Sequence, residues 1–182
     1  MSTDLQRPRI RPYERADAAR TLETFIAAVT RIAAADYTRE QIRAWARPEQ
    51  RDPESWHPEM NGRNSFVATL DGDVAGFSDV AADGRIDMMF VSPEQQRRGV
   101  ARELLAEAER RAGERGAEEL YADVSITARP LFERYGFRVE REQRPVRHGI
   151  ELVNFRMRKR LTGPTAGAAG VRPIVRDPAE PE

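Results

Sequence analysis

Residues 85–111, RIDMMFVSPEQQRRGVARELLAEAERR, constrain the fold more than any other part of the chain. A short apolar run, IDMMFV, has the character of a strand and ends at Ser92 and Pro93. After Gly99, apolar residues recur at Ala101, Leu104, Leu105, Ala108 and Ala112, spacings of three and four that make one face of a long helix. The first turn of a helix leaves backbone N–H groups without intrahelical partners, and they sit at the positive end of its dipole. A glycine at that mouth lets an anion approach the main chain with no side chain between. The stretch Gln96, Arg97, Arg98, Gly99, Val100, Ala101 therefore reads as a phosphate cradle built chiefly from main-chain donors, with two guanidinium forks beside it. It is not G-x-G-x-x-G, and no Gly-Lys-Ser/Thr occurs, so a nucleotide loop of either kind is the weaker reading.

The remaining chain supplies a sheet for this unit to pack on. RIRPY predicts a short edge strand, since Pro12 has no N–H for a central ladder. From Asp17 a helical face runs through Ala18, Leu22, Phe25, Ile26, Val29, Ile32 and Ala33, and Thr38 with Gln41 caps a second helix reaching about Trp45. Residues 46–64 are proline-rich and predict a long irregular loop with a binding or lid role. Asp71-Gly72 and Asp83-Gly84 predict turns joining NSFVATL, DVAGFSDV and IDMMFV into an antiparallel meander. ELYADV reads as a strand, TARPLFERY as a short helix stopped by Gly136, and FRVEREQ with IELVNFRMRK as a closing antiparallel pair. The expected fold class is α+β, with one domain over residues 9–161, a flexible lead-in at 1–8, and a disordered Gly-, Pro- and Ala-rich tail at 162–182.

Composition removes several kinds of chemistry. The 182 residues carry 30 basic and 30 acidic side chains, so no net field favours nucleic acid or an acidic membrane. Cysteine is absent, which excludes thiolate catalysis and cysteine-ligated metals. Two histidines, His57 and His148, are too few for a histidine-rich metal site and make a Ser-His-Asp triad improbable. The N-terminus lacks the apolar run of a signal peptide, and the expected setting is the cytoplasm.

With the cradle, the strand before it, and ARPLFERYGF after it in view, the chain resembles the GNAT N-acetyltransferase superfamily. SITARPLFERYGF together with NFRM looks most like its YafP-like branch. The resemblance covers about residues 9–160 and implies a three-layer fold, a central mixed and mostly antiparallel sheet with helices on both faces. It implies acetyl-CoA as cosubstrate, no metal, and an amine of a small molecule, peptide or protein as acceptor, with attack through a ternary complex.

By position, residues 96–101 would hold the pyrophosphate. The main chain of Phe90 and Val91 would pair with the pantetheine arm, where a bulge splays their strand from its parallel neighbour. Met88 and Met89 adjoin that slot, and methionine there reads as flexible core filling before a ligand contact. Asp87 is expected to act as base or water-holder, or else to stand as a rim carboxylate paired with arginine. Many members carry a proton-donating tyrosine where this chain has Phe132; Tyr135 could take that role or simply pack. Ser125 and Thr127 would touch the thioester or cap the following helix. Trp45, Trp56, His57, Met60 and Asn61 would border the acceptor or pin a loop. The edge strands of the C-terminal pair could support a homodimer. The alternative to an enzyme is a coenzyme A-binding sensor or interaction module without turnover.

Overall fold

The computed structural model describes residues 7–161. The lead-in expected at 1–8 lies almost wholly outside the described residues, and the tail expected at 162–182 entirely so. In chain order the elements are β1 (Arg9–Pro12), α1 (Ala18–Ala27), α2 (Arg39–Ala46), α3 (Pro53–Gly62), β2 (Phe66–Leu70), β3 (Asp73–Ser78), β4 (Arg85–Ile86), β5 (Met89–Val91), α4 (Val100–Glu114), β6 (Glu119–Ser125), α5 (Arg129–Arg134), β7 (Arg138–Gln143), β8 (Val146–Arg147), β9 (Ile150–Glu151) and β10 (Asn154–Arg160). Strands order as β1-β2-β3-β5 in one four-stranded sheet and β4-β6-β10-β7 in a second, with β8-β9 a small hairpin. All pairings are antiparallel except β4 with β6.

Alternation along β2 sends Phe66, Ala68 and Leu70 toward one core and Val67 toward the other. The first core receives Val100, Leu104, Leu105, Ala108 and Ala112 of α4 with Phe132 of α5. The second receives Leu22 and Phe25 of α1, Ile42 of α2, and Trp56 and Met60 of α3. Two helical layers thus enclose the sheet, the α+β arrangement expected from the sequence.

Three expectations change. Residues 46–64 are not an irregular loop. Asp52 accepts the N–H groups of Glu54 and Ser55, Pro53 fits the first helical position, and α3 follows despite an internal Pro58. What holds α3 is burial: Trp56 is 2% exposed and donates its indole N–H to Thr21, while Met60 is fully buried. Second, the helix from residue 18 does not run regularly to Ala33, because residues 28–32 open into a π turn. Third, IDMMFV is not one strand, since it breaks after Ile86 and its two parts join different sheets.

The turn before β4 depends on a glycine. Gly84 has φ +86, and a Cβ there would lie 1.9 Å from the Glu119 carbonyl oxygen. Gly72, in the β2–β3 turn, has φ +91 but open space around it. Urea melts should therefore separate the two positions. We expect Gly84→Ala to cost about 3–4 kcal/mol, backbone overpacking added to left-handed strain, and Gly72→Ala only about 1–2 kcal/mol from the strain alone.

Candidate active site

A cleft of about 1380 Å³ runs along the break between the sheets, lined by α1, β5, the start of α4, the end of β6 and α5. A pocket for one small ligand takes roughly 300–1,000 Å³, so this one has room for two reactants. At one end is the mouth of α4. Gly99 stands at its N-cap with φ +82, no side chain caps the helix, and a Cβ at Gly99 would meet nothing within 4 Å. Open space thus faces the unpaired amides of the first turn, the arrangement an anion needs. Gln96, Arg97, Gly99, Val100 and Ala101 all line the cleft. Arg98 does not. Its guanidinium points to Asp71 at 2.9 Å and to Gln95 at 2.6 Å, so its expected phosphate fork is already engaged elsewhere.

The middle of the cleft is the gap between β5 and β6. β6 pairs with β4 only through Arg85 and Ile86, and β5 pairs with β3 alone. The Ser92 N–H donates to the Ala75 carbonyl, and the Met88 carbonyl accepts from the Asp79 N–H. By the alternation of an antiparallel ladder, the backbone groups of Phe90 also face β3, and those of Met89 and Val91 face the gap. An extended ligand could add there as one more strand.

Ser125, Phe132 and Tyr135 line the far side. The Ser125 hydroxyl accepts the Ala128 N–H at 3.1 Å, so it caps the turn into α5. Phe132 is 5% exposed and packs edge-on against Phe137 at 4.9 Å. Tyr135 is half-buried, and among the described residues its hydroxyl has no protein partner. Asp87 sits on the rim, at the break rather than within an apolar strand. It is exposed, ion-paired to Arg63, and bonded to Arg85 at 2.8 Å. Residues 87 and 88 belong to neither strand.

Of the five residues expected to border an acceptor, Trp45 lines the cleft and the others do not. Trp56 and Met60 are core, Asn61 is exposed, and His57 is held by the Tyr13 hydroxyl at 3.2 Å. The π turn of residues 28–32 forms part of the wall, and its Arg31 is ion-paired to Glu94 in the loop before α4. Ser92 donates to Glu94 at 2.6 Å, and these contacts, Ser92 first and Arg31 second, pull the Glu94 carboxyl down to about 2.

Two residues of the site escaped the sequence reading. Tyr37 donates to the Val153 carbonyl at 2.5 Å and accepts the Ile126 N–H at 2.9 Å, tying the helical layer to the end of β6. Asp79 lies just beneath the rim, 3% exposed. Its Oδ1 accepts the N–H groups of both Asp87 (2.8 Å) and Met88 (3.2 Å), which holds the strand open at the break. Its Oδ2 is buried without a hydrogen-bond partner, with Arg63 at 3.6 Å. A Ser-Asp pair after a glycine gave no pattern that would single it out. Among the described residues, no cluster of His, Asp and Glu suits a metal, and no helix is long and apolar enough to cross a membrane.

With this geometry in hand, comparison with known proteins is informative. Residues 33–159 match the family model described as Acetyltransferase (GNAT) domain. The chain is 39% identical over 149 residues to the uncharacterized N-acetyltransferase YafP of Escherichia coli (strain K12), covering 82% of this chain and 93% of that one. A GCN5-related N-acetyltransferase structure from Rhodopseudomonas palustris is 32% identical with a TM-score of 0.81, over 88% of this chain and 100% of that one. The structure of yncA from Salmonella typhimurium with its cofactor acetyl-CoA shares the fold at 22% identity and a TM-score of 0.63, covering 90% and 99%.

Burial is the largest influence on Asp79 and pushes its carboxyl up to about 6, against the opposing Met88 N–H and the charges of Arg63 and Arg85. The native chain therefore keeps this proton to a higher pH than the unfolded chain, whose carboxyl titrates near the ordinary value of 3.8. Where the native state binds more protons, stability falls as pH rises. Asp79 should thus cost stability progressively between about pH 4 and pH 6, reaching roughly 3 kcal/mol above that window. In denaturant titrations at pH 4 and pH 7, Asp79→Asn should lose this part of the decline while keeping an oxygen acceptor for both amides. Parallel pH profiles for the two proteins would refute the assignment.

Proposed function

Because the chain belongs to the GNAT acetyltransferase family, we propose that it transfers the acetyl group of acetyl-CoA to a primary amine of a small molecule, peptide or protein, by direct attack with both reactants bound. The observation that carries this is a helix mouth with unpaired amides, set at the end of a strand whose outward backbone groups face a gap. Acetyl-CoA supplies an activated acyl carbon on a thiol leaving group. The amides of residues 99–101 hold its pyrophosphate, with Arg97 and Gln96 at the side. Met89 and Val91, whose backbone groups face the gap, would pair with its extended arm, and the Val91 N–H would donate to the thioester oxygen, where charge builds as the amine attacks. Ser125 and Phe132 bound the slot.

An alkylammonium has a pKa of about 10, so the acceptor must lose a proton before it attacks. Arg51, Arg63, Arg85 and Arg147 line that part of the cleft, and their field favours the neutral amine. Asp87 fits a water-holder better than a direct base, since each of its carboxylate oxygens is already engaged by a guanidinium group. The C–N bond forms as the C–S bond breaks. The amine proton passes to water at Asp87, and the Tyr135 hydroxyl, without a protein partner among the described residues, protonates the departing thiolate and regains its proton from solvent.

A second reading has its own observation. With Asp87 pinned and an apolar Phe132 at the small helix, the protein would bind coenzyme A without turnover. Thiol release over a panel of primary amines separates the two readings, since a module binds acetyl-CoA and releases nothing above background hydrolysis. Calorimetry with coenzyme A tests the cradle. Gly99→Ala should weaken binding tenfold or more, although its Cβ meets no protein atom. Arg97→Ala should lose about tenfold or more, the worth of one charge-assisted hydrogen bond of at least about 1.5 kcal/mol. Arg98→Ala should change affinity less than twofold, since its guanidinium is held by Asp71.

A further inference from the structure

The acceptor half of the cleft contains a guanidinium without a counter-ion. Arg51 follows the short turn after α2. Its Nε donates to the Ala46 carbonyl at 2.9 Å, which uses one of the five N–H donors of the group. Its guanidinium carbon lies 4.9 Å from the centre of the Phe25 ring and 5.6 Å from that of Trp56, two rings locked against each other in the core. The side chain is therefore braced by the two rings and one backbone bond, and Arg51 lines the cleft.

Around the same cleft, Arg63, Arg85 and Arg144 each have a carboxylate partner. Among the described residues, no carboxylate lies within the 4.0 Å ion-pair distance of Arg51. Burial lowers its pKa first. The field of Glu59 acts in the opposite direction, and those of Arg47 and Arg147 add to the lowering. Glu59 is exposed on α3 and does not reach it. A braced, half-buried cation with no carboxylate in ion-pair reach has donors to spare for an anion in the cleft, which the exposed Glu59 also lines.

That anion does not match the pyrophosphate. Arg97 and the α4 mouth lie beyond the end of β5, whereas Arg51 sits on the α1–α3 side of that strand. One aromatic ring separates it from the strand, since Phe25 meets Phe90 edge-on at 4.9 Å. Trp45 closes the same space, 6.4 Å from Phe90. We infer that Arg51, aided by Arg147, is the anion subsite of the acceptor pocket, and that the amine acetylated here carries a carboxylate on an apolar body. The inference rests on the transfer proposed above. A planar fork grips a carboxylate through two parallel hydrogen bonds, and the aromatic wall takes the apolar part.

The test is calorimetry in saturating coenzyme A with two matched pairs, L-phenylalanine against L-phenylalaninamide and 4-aminobutyrate against 4-aminobutyramide. The first pair probes an α-carboxylate and the second one held further from the amine. The wild-type protein should bind the carboxylate of at least one pair tenfold or more tightly than its amide. Arg51→Gln should abolish that preference, Arg51→Lys should restore part of it, and coenzyme A affinity should stay within twofold throughout. Arg147→Gln, exposed at the end of β8, should reduce the preference a few-fold and keeps the test available if the Arg51 variants fold poorly. Equal binding within both pairs, or a preference that survives in Arg51→Gln, would overturn the inference. So would a parallel loss of coenzyme A affinity, which would make Arg51 a cofactor contact. Carboxylate preference without thiol release would defeat the transfer reading and leave the subsite standing. Absence of coenzyme A binding would defeat the cradle, and the same titrations without coenzyme A would still score Arg51.

Discussion

The site depends on one carboxylate oxygen that accepts two successive backbone amides. Oδ1 of Asp79 holds the N–H groups of Asp87 and Met88, residues that would otherwise continue a strand. With those donors diverted, the chain leaves β6 after Ile86 and resumes against β3 at Met89. The gap that opens contains backbone groups of β5 with no strand to pair with, and an extended ligand can satisfy them. The interaction is costly to keep ionised, because the carboxylate is buried and its second oxygen has no hydrogen-bond partner. Residues held in such a state are characteristic of sites that give up stability for geometry.

Other contacts fix the walls of that gap to one another. Tyr37 bridges the helical layer to Ile126 and Val153 through its hydroxyl, so the α1 side and the β6 side cannot drift apart independently. Arg31, on the π turn, reaches Glu94, which Ser92 also holds. The loop that delivers the chain into α4 is thus anchored from two directions. Amides at a helix mouth select an anion only if they are held in place, and these bonds hold them.

Charge is distributed unevenly in a chain with no net charge. About half of the arginines among the described residues are ion-paired, chiefly at the surface, where such pairs contribute little to stability. Around the cleft the guanidinium groups differ in their engagement. Arg98 is spent on Asp71, Arg63 and Arg85 flank Asp87, and Arg51 lines the cleft braced on aromatic rings. Residue type alone ranks these four equally, so sequence reading placed Arg98 in the cradle and passed over Arg51. The same limit explains α3. Its prolines and polar residues suit a loop locally, and burial of Trp56 and Met60 supplies the free energy that makes it a helix.

The sequence by itself determined the handover from strand to glycine to long amphipathic helix, the two Asp-Gly turns and the α+β class. Each follows from local chemistry: the 3.6-residue period of α4, the left-handed φ that glycine adopts at the helix mouth, and spacings within a few residues. Tertiary structure alone decided where IDMMFV breaks, which arginines are free, and that Asp79 rather than Asp87 is the buried carboxylate. Those outcomes depend on groups far apart in sequence, Asp79 with Met88, Arg98 with Asp71, Arg51 with Phe25. A hydrogen bond or a stacking contact exists only once folding has brought its two halves together.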